Sequence, residues 1–523
     1  MESFVGADAM LAGHEPGKIS VGGTPDSKEG ATPATTDPRF MDSQAALDAL
    51  RSEGDINLSP RRQTWAGEHL DASARKIVAE DADLFLHQSL SSPCLNALQR
   101  CSGATLTDWQ GRELLDFHGN NVHQVGFGHP RILEAITRQL QELSFCPRRY
   151  TCVPAVELAR ELTRLAPGRL KRVLFSPGGT SAIGMALKLA RAATGRFKTI
   201  SMWESFHGAS LDCISIGGEG IFRRGIGPLL PGCEHVPPPD NRHCPFRCGA
   251  ACNLACADYV EYVLEREGDV AAVIAETVRC TPFIPPLDYW KRIRAACDRH
   301  GALLILDEIP ICLGRTGRMF ACEHYDVVPD MLVLGKGLGG GVFPFAALLA
   351  REDLNSALAH GALGHYTHEK NPVACAAALA TLQVVQAEGL PARAQELGAY
   401  LVDRLRMIAR RHPLVVDVRG LGLLVGVELG YHRKGQIVRA TDEAEQVMYH
   451  CLSGGLNFKI TQGNILTLTP ALTISRAQLD RAIEILDDAL SRVIPSTVRP
   501  APTIAGLGHH GATSTTSDCP AVP

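Results

Sequence analysis

The chain has 523 residues, room for two domains or more, each with its own core. A net charge of −4 advertises no basic surface, and no helix-turn-helix appendage is recognisable, so nucleic acid is not an expected partner. No run of about eighteen apolar residues is present, so no transmembrane helix is expected.

The N-terminus lacks a basic region followed by an apolar one, and no secretory signal is expected. There are 17 cysteines, and many sit inside apolar segments, such as Cys213, Cys297, Cys375 and Cys451. That suits a reducing cytoplasm better than a disulfide framework. A cytoplasmic protein is therefore expected.

Residues 1–43 are rich in Gly, Pro, Ser, Thr and Asp, with few large apolar groups, and read as a disordered tail. Residues 44–125 read as an N-terminal arm and part of a small domain. Helical spacing occurs at Ala45, Leu47 and Leu50, and again at Ile77, Leu84 and Leu86. Strands follow at 95–116, around the turn Asp108-Trp-Gln-Gly111. The stretch 116–130, with its glycines and polar residues, reads as a loop lining a cavity, and a helix is expected over 130–143.

Residues 126–373 form the expected large domain. Strands are predicted at 172–176, 199–203, 270–276, 303–307 and 331–334, with helices between them, for example 181–193 and 289–300. Alternation of this kind implies an α/β fold with a mostly parallel sheet covered by helices. Residues 374–495 read as a smaller C-terminal α+β domain, and 496–523 as a second disordered tail.

Three stretches of the large domain carry chemistry. Val173-Leu-Phe-Ser-Pro-Gly-Gly-Thr-Ser-Ala182 is a strand running into glycines and then a helix, and helix N-termini bind phosphate. Ala302-Leu-Leu-Ile-Leu-Asp-Glu308 is a buried strand closed by two carboxylates. Asp307 then stands where open α/β sheets place ligands, and a buried carboxylate needs a cationic partner. Met331-Leu-Val-Leu-Gly-Lys-Gly337 ends a third strand on a lysine hemmed by glycines. Apolar neighbours push such an amine toward its neutral, nucleophilic form.

In this order the three stretches resemble the class III, or ω-amino-acid, aminotransferases, which are fold type I enzymes dependent on pyridoxal 5′-phosphate. The motifs that carry the resemblance are Gly178-Gly179-Thr180, Phe206-His207-Gly208, Glu276, Asp307-Glu308, Gly314-Arg315-Thr316-Gly317, Gly335-Lys336-Gly337, and Thr367 with Asn371-Pro372. It covers residues 90–495. The resemblance implies that Lys336 joins the cofactor and acts as acid and base, and that Asp307 holds the pyridine nitrogen protonated. It implies a phosphate cup at Gly178, Gly179 and Thr180. Phe206 matches the ring-stacking aromatic with His207 beside it, and Glu276 the glutamate near the ring hydroxyl. Thr367 matches the threonine that reaches the neighbouring subunit's cofactor, so a homodimer with shared sites is implied.

The chain departs from the family pattern at several places. Ser181 replaces a glutamate after the phosphate cup, Pro310 a ring-contacting glutamine, and His368-Glu-Lys370 the usual Phe-x-Gly. The arginine that binds the dicarboxylic partner is replaced by Thr467, which cannot hold a carboxylate bidentately. These changes weaken the case for transamination. Phe117-His-Gly-Asn-Asn-Val-His-Gln-Val-Gly126, Cys146-Pro-Arg-Arg-Tyr-Thr151, the cysteine segment from Cys244 and Thr367-His-Glu-Lys-Asn-Pro372 resemble a lyase branch of the family. That branch eliminates the β-hydroxyl of (R)-1-hydroxy-2-aminoethylphosphonate, giving phosphonoacetaldehyde and ammonia. His123, Arg148, Arg149 and Lys370 are the expected contacts to this aminophosphonate substrate. The alternatives are a class III ω-aminotransferase, with 2-aminoethylphosphonate or an ω-amino acid as donor, and an amino-alcohol phosphate phospho-lyase.

Cys244, Cys248, Cys252 and Cys256 recur at every fourth position. Four thiolates could hold zinc or a cluster, although the usual ligand pairs are more closely spaced. On one helix the same spacing would place them on one packed face. The reading favours inert thiols, and no metal is assigned.

Overall fold

The computed structural model describes residues 59–240, 242–248, 252–357, 361–433 and 436–493. The tails expected at 1–43 and 496–523, and the helical spacing near Ala45, lie outside the described residues.

Uninterrupted apolar runs build the main sheet. Every residue of Val270–Glu276 and Leu303–Asp307 is buried, as a strand covered on both faces requires. The sheet has seven strands in the order Leu170–Ser176, Ala346–Arg351, Met331–Leu334, Leu303–Asp307, Val270–Glu276, Lys198–Met202 and Cys233–Val236. All neighbours pair in parallel except Ala346–Arg351, which is antiparallel to both of its partners. Strand Leu170–Ser176 therefore points the same way as the parallel set. The chain ends of Ser176, Glu276, Asp307 and Leu334 gather along one edge, where ligands bind in sheets of this type.

The side-chain alternation of a strand splits the core in two. Leu303, Ile305, Met331 and Val333 pack with Ile183, Met185 and Leu187 of the helix Gly179–Thr194. Leu304, Leu306, Leu332 and Leu334 belong to the other layer, with Trp290 and Ile293 of the helix Tyr289–His300. The same alternation separates the two carboxylates that close Leu303–Asp307. Glu308 braces the next turn, accepting from Ala321 N at 2.6 Å, Cys322 N at 2.7 Å and Thr277 Oγ1 at 2.9 Å. Asp307 is left for the other side.

Segments from both ends of the chain share a second sheet. Leu98–Ser102, Thr105–Asp108 and Glu113–Asp116 form a meander, and Leu456–Asn457 adds to it in parallel. A third sheet is built from Val415–Leu421, Leu424–Arg433, Ile465–Leu468 and Lys459–Thr461, with Gln436–Arg439 paired to Leu424–Arg433. Helices Leu390–Ala409, Thr441–Ser453 and Arg476–Ser491 accompany it. The first helix among the described residues, Pro60–His69, is capped by Ser59, whose side chain accepts from Arg62 N. It is tied to Thr441–Ser453 through Trp65 Nε1, which donates to Ser453 Oγ at 3.1 Å. No single helix among the described residues is long and apolar enough to cross a membrane.

Candidate active site

A cavity of about 410 Å³ opens at the gathered strand ends. That lies within the range of roughly 300–1,000 Å³ for cofactor and small-molecule sites. Gly178, Gly179, Thr180, Phe206, His207, Glu276, Asp307 and Lys336 all line it.

Asp307 is 2% exposed. Its Oδ1 accepts from Ile309 N at 3.0 Å, and its Oδ2 lies 2.8 Å from His207 Nδ1. His207 thus stands behind Asp307, and its Nε2 is 3.5 Å from Ser201 Oγ. Glu276 is the register partner of Asp307 on the adjacent strand. Its Oε1 accepts from Phe206 N at 2.9 Å, which fixes the backbone of the aromatic, and its buried Oε2 has no hydrogen-bond partner. Burial, reinforced by the charge of Asp307, pushes the Glu276 carboxyl up to about 8. The edge holding Asp307 and Glu276 therefore presents an acidic end with an unused polar atom.

Lys336 opens a short 3-10 turn, Lys336–Gly339, two residues beyond the strand Met331–Leu334. Its φ of 46° lies in the left-handed region, unusual for a side chain other than glycine, asparagine or aspartate. Such a conformation costs about 1–3 kcal/mol and concentrates at functional sites.

The residues fit pyridoxal phosphate. The helix Gly179–Thr194 starts at the cavity, and its N-cap Gly178 supplies no side-chain cap, so the first-turn N–H groups are left for an anion. A Cβ on Gly179 would come within 2.7 Å of Ile309 Cδ1. Gly208 has φ 126°, and a Cβ there would meet Thr180 Oγ1 at 2.4 Å. The cradle is thus shaped by missing side chains. Asp307 and the orphaned Glu276 oxygen suit a protonated ring nitrogen and a ring hydroxyl. Gly208→Ala is expected to destabilise the protein by about 1–3 kcal/mol, as overpacking does, and to loosen cofactor retention. Thermal melts of loaded and cofactor-free protein check this; unchanged melts in both would take Gly208 out of the cradle.

Other expected site residues lie outside this cavity. His123 is wholly buried, with Nε2 3.8 Å from Asp116 Oδ2, and burial lowers its ring to about 4. Arg148 is exposed and donates to His365 O at 2.9 Å. Arg149 and Thr367 are also exposed, and Lys370 lines a different cavity beside Thr151 and Ala155.

Two charged residues that the sequence did not point to also line the cavity. Arg279 stands three residues past the end of Val270–Glu276, and Glu219 precedes the short helix Gly220–Arg223; they form an ion pair. The available signal was a charge in each of two apolar contexts, Ile214-Ser-Ile-Gly-Gly-Glu219 and Glu276-Thr-Val-Arg279.

The cysteine segment takes another course. The helix Ala255–Glu267 begins after Cys252, so the four cysteines do not form one helix face. Cys244 Sγ lies 3.8 Å from Cys248 Sγ, and Cys248 Sγ donates to Asn253 Oδ1 at 3.1 Å. Among the described residues no three His, Cys, Asp or Glu are placed to hold a metal ion.

Comparison with known proteins adds four findings. Residues 88–490 match the family described as aminotransferase class III. The chain is 46% identical to (R)-1-hydroxy-2-aminoethylphosphonate ammonia-lyase of Vibrio splendidus (strain 12B01), over 85% of this chain and 96% of that protein. It is 35% identical to leucine/methionine racemase of Thermococcus litoralis, over 75% of this chain and 90% of that protein. A solved amine transaminase from an uncultivated Pseudomonas species, in its PLP-bound form, superposes with a TM-score of 0.73 at 32% identity. That match covers 78% of this chain and 99% of the transaminase. A lyase, a racemase and a transaminase thus share this architecture, so the reaction has to be argued from the site.

Proposed function

The chain belongs to the class III aminotransferases, and from that membership we propose an ammonia-lyase that acts on (R)-1-hydroxy-2-aminoethylphosphonate. The fold is fold type I, and the cofactor is pyridoxal 5′-phosphate. The 46% identity to the Vibrio splendidus lyase supports the substrate class.

The observation that carries the choice of reaction is Thr467. It replaces the arginine with which the family holds a dicarboxylic amino acceptor. Thr467 is 4% exposed, and its Oγ1 lies 2.8 Å from Thr461 Oγ1 inside the third sheet. A threonine engaged in this way offers a second substrate no charge.

When bound, pyridoxal phosphate supplies an electron sink next to the nitrogen-bearing carbon of the substrate. Gly178, Gly179 and Thr180 would hold its phosphate, Phe206 would cover the ring, and Asp307, its carboxylate fixed by His207, would hold the ring nitrogen protonated. Lys336 removes the proton from the nitrogen-bearing carbon. The neighbouring carbon then loses its hydroxyl, which leaves as water once Lys336 returns the proton, since hydroxide is a poor leaving group. The enamine product is released, and water converts it to phosphonoacetaldehyde and ammonia. No oxo acid is consumed.

The reading places the enzyme in phosphonate breakdown in the cytoplasm, as a homodimer. In a single chain Thr367, Arg148 and Arg149 are exposed. In a homodimer they would serve a site across the subunit boundary.

Purified enzyme given the hydroxylated aminoethylphosphonate alone should release ammonia and phosphonoacetaldehyde in equal amounts. Added 2-oxoglutarate should change neither rate nor yield. Glutamate formation would establish the aminotransferase instead, and inorganic phosphate among the products would establish the phospho-lyase.

A further inference from the structure

One buried cation that lines the cavity takes no part in these steps. Arg279 follows the end of Val270–Glu276, and its backbone is pinned by two hydrogen bonds with Phe283, each 3.1 Å. Its guanidinium lies 5.8 Å from the Phe283 ring centroid. Arg279 is 7% exposed, and its Nη2 pairs with Glu219, itself 2% exposed. Nε and Nη1 are buried without any hydrogen-bond partner.

A buried guanidinium with unused N–H groups is costly unless something fills them. Burial lowers its proton affinity only to about 10, so the group stays charged at neutral pH. Glu219 neutralises the charge and orients it but occupies only one nitrogen. The Nε–H and Nη1–H bonds therefore remain for an acceptor in the cavity. Of the residues that line this cavity, Lys336 and Arg279 are the lysine and the arginine. Lys336 is committed to the reacting carbon, which leaves Arg279 for the far end of a substrate.

We propose that Arg279, held by Glu219, is the substrate-binding residue that captures the anionic tail, the phosphonate oxygens, within a single chain. The identity of that tail rests on the ammonia-lyase reading; the anion site itself rests on the guanidinium. Arginine suits tetrahedral oxyanions because its planar donors match their oxygens. This also separates the site from the dicarboxylate arrangement of the wider family. The cation approaches from the end of the strand Val270–Glu276 and not from the position of Thr467.

The test uses the full-length holoenzyme and four proteins: wild type, Arg279→Lys, Arg279→Gln, and the double variant Glu219→Gln/Arg279→Gln. The double variant removes the cation without stranding a buried carboxylate. Two measurements are made, ammonia release from the hydroxylated aminoethylphosphonate and calorimetric binding of methylphosphonate. Loss of charge-assisted hydrogen bonds should lower kcat/KM by about 10- to 10²-fold. Most of the loss should appear in KM, with Arg279→Lys in between. Methylphosphonate should bind wild type and fail to bind the double variant. Equal methylphosphonate binding by wild type and the double variant, or none by wild type, overturns the proposal. If wild type binds methylphosphonate through Arg279 yet releases no ammonia, the anion site stands and the ammonia-lyase reading falls.

Discussion

Lys336→Ala should abolish measurable ammonia release while the protein still folds. Proton transfer by a positioned side chain contributes about 10²- to 10⁴-fold on its own. Lys336 is asked to take a proton from one carbon and to deliver one to the departing hydroxyl, so both contributions vanish together. Arginine in its place would keep the charge but could not give up its proton. The backbone permits a sharper control. Lys336 holds φ at 46°, and the left-handed backbone of a residue with a Cβ accounts for about 1–2 kcal/mol of the strain given above. Glycine relieves that strain but loses about 0.5–1 kcal/mol through its freer unfolded chain. Lys336→Gly should therefore melt within about 1 kcal/mol of the cofactor-free wild type and be inactive. Borohydride treatment of the wild type should fix the cofactor to Lys336. Labelling of a different lysine, or an active Lys336→Gly, would remove Lys336 from the centre of the site.

The parts of this enzyme that were legible in the sequence are those where a residue contradicts its surroundings. The strands Val270–Glu276, Leu303–Asp307 and Met331–Leu334 are apolar runs ended by a carboxylate or a glycine, and their bounds were read from that contrast. Two strands of the same sheet were missed. Cys233-Glu-His-Val236 is an edge strand with two polar residues and no apolar run. Ala346–Arg351 is rich in alanine and leucine, a composition that favours helix, and only its antiparallel pairing on both sides makes it a strand.

The same contrast exposed Lys336, Asp307 and the glycines of the cradle, because each is odd on its own. Arg279 and Glu219 are odd only together. Each is a single charge beside a short apolar stretch, a weak signal until the fold sets one against the other, and pairing between distant segments leaves no periodic trace. Cys244 to Cys256 show the converse. Their regular spacing invites a helical reading, yet the helix begins only at Ala255.

The second large effect is expected at Asp307. Asp307→Asn keeps the shape of the side chain and removes its charge. The amide oxygen can still accept from Ile309 N, as Oδ1 does now at 3.0 Å. The amide nitrogen then faces His207 Nδ1, which is 2.8 Å away and must become the acceptor. That moves the imidazole proton to Nε2, whose neighbour Ser201 Oγ at 3.5 Å can receive it. The local hydrogen bonds thus survive with one tautomer change, and thermal stability without cofactor should hold to within about 1 kcal/mol, one ordinary hydrogen bond. The charge does not survive. Removing one partner of a buried ion pair costs about 3–5 kcal/mol, and that loss falls on the loaded enzyme. Glu276 is a poor replacement, because burial, the larger cause of its raised carboxyl, persists when the Asp307 charge is gone. The variant should therefore lose about 10²- to 10³-fold in kcat, the range for removing a fixed electrostatic contact in an active site, and should release cofactor on dialysis. The measurement is kcat at saturating pyridoxal phosphate beside melts of the loaded and cofactor-free forms. A kcat within a few-fold of wild type would show that Asp307 is a structural strand-end carboxylate held by His207. A melt that falls equally in both forms would show that the charge supports the fold and not the cofactor.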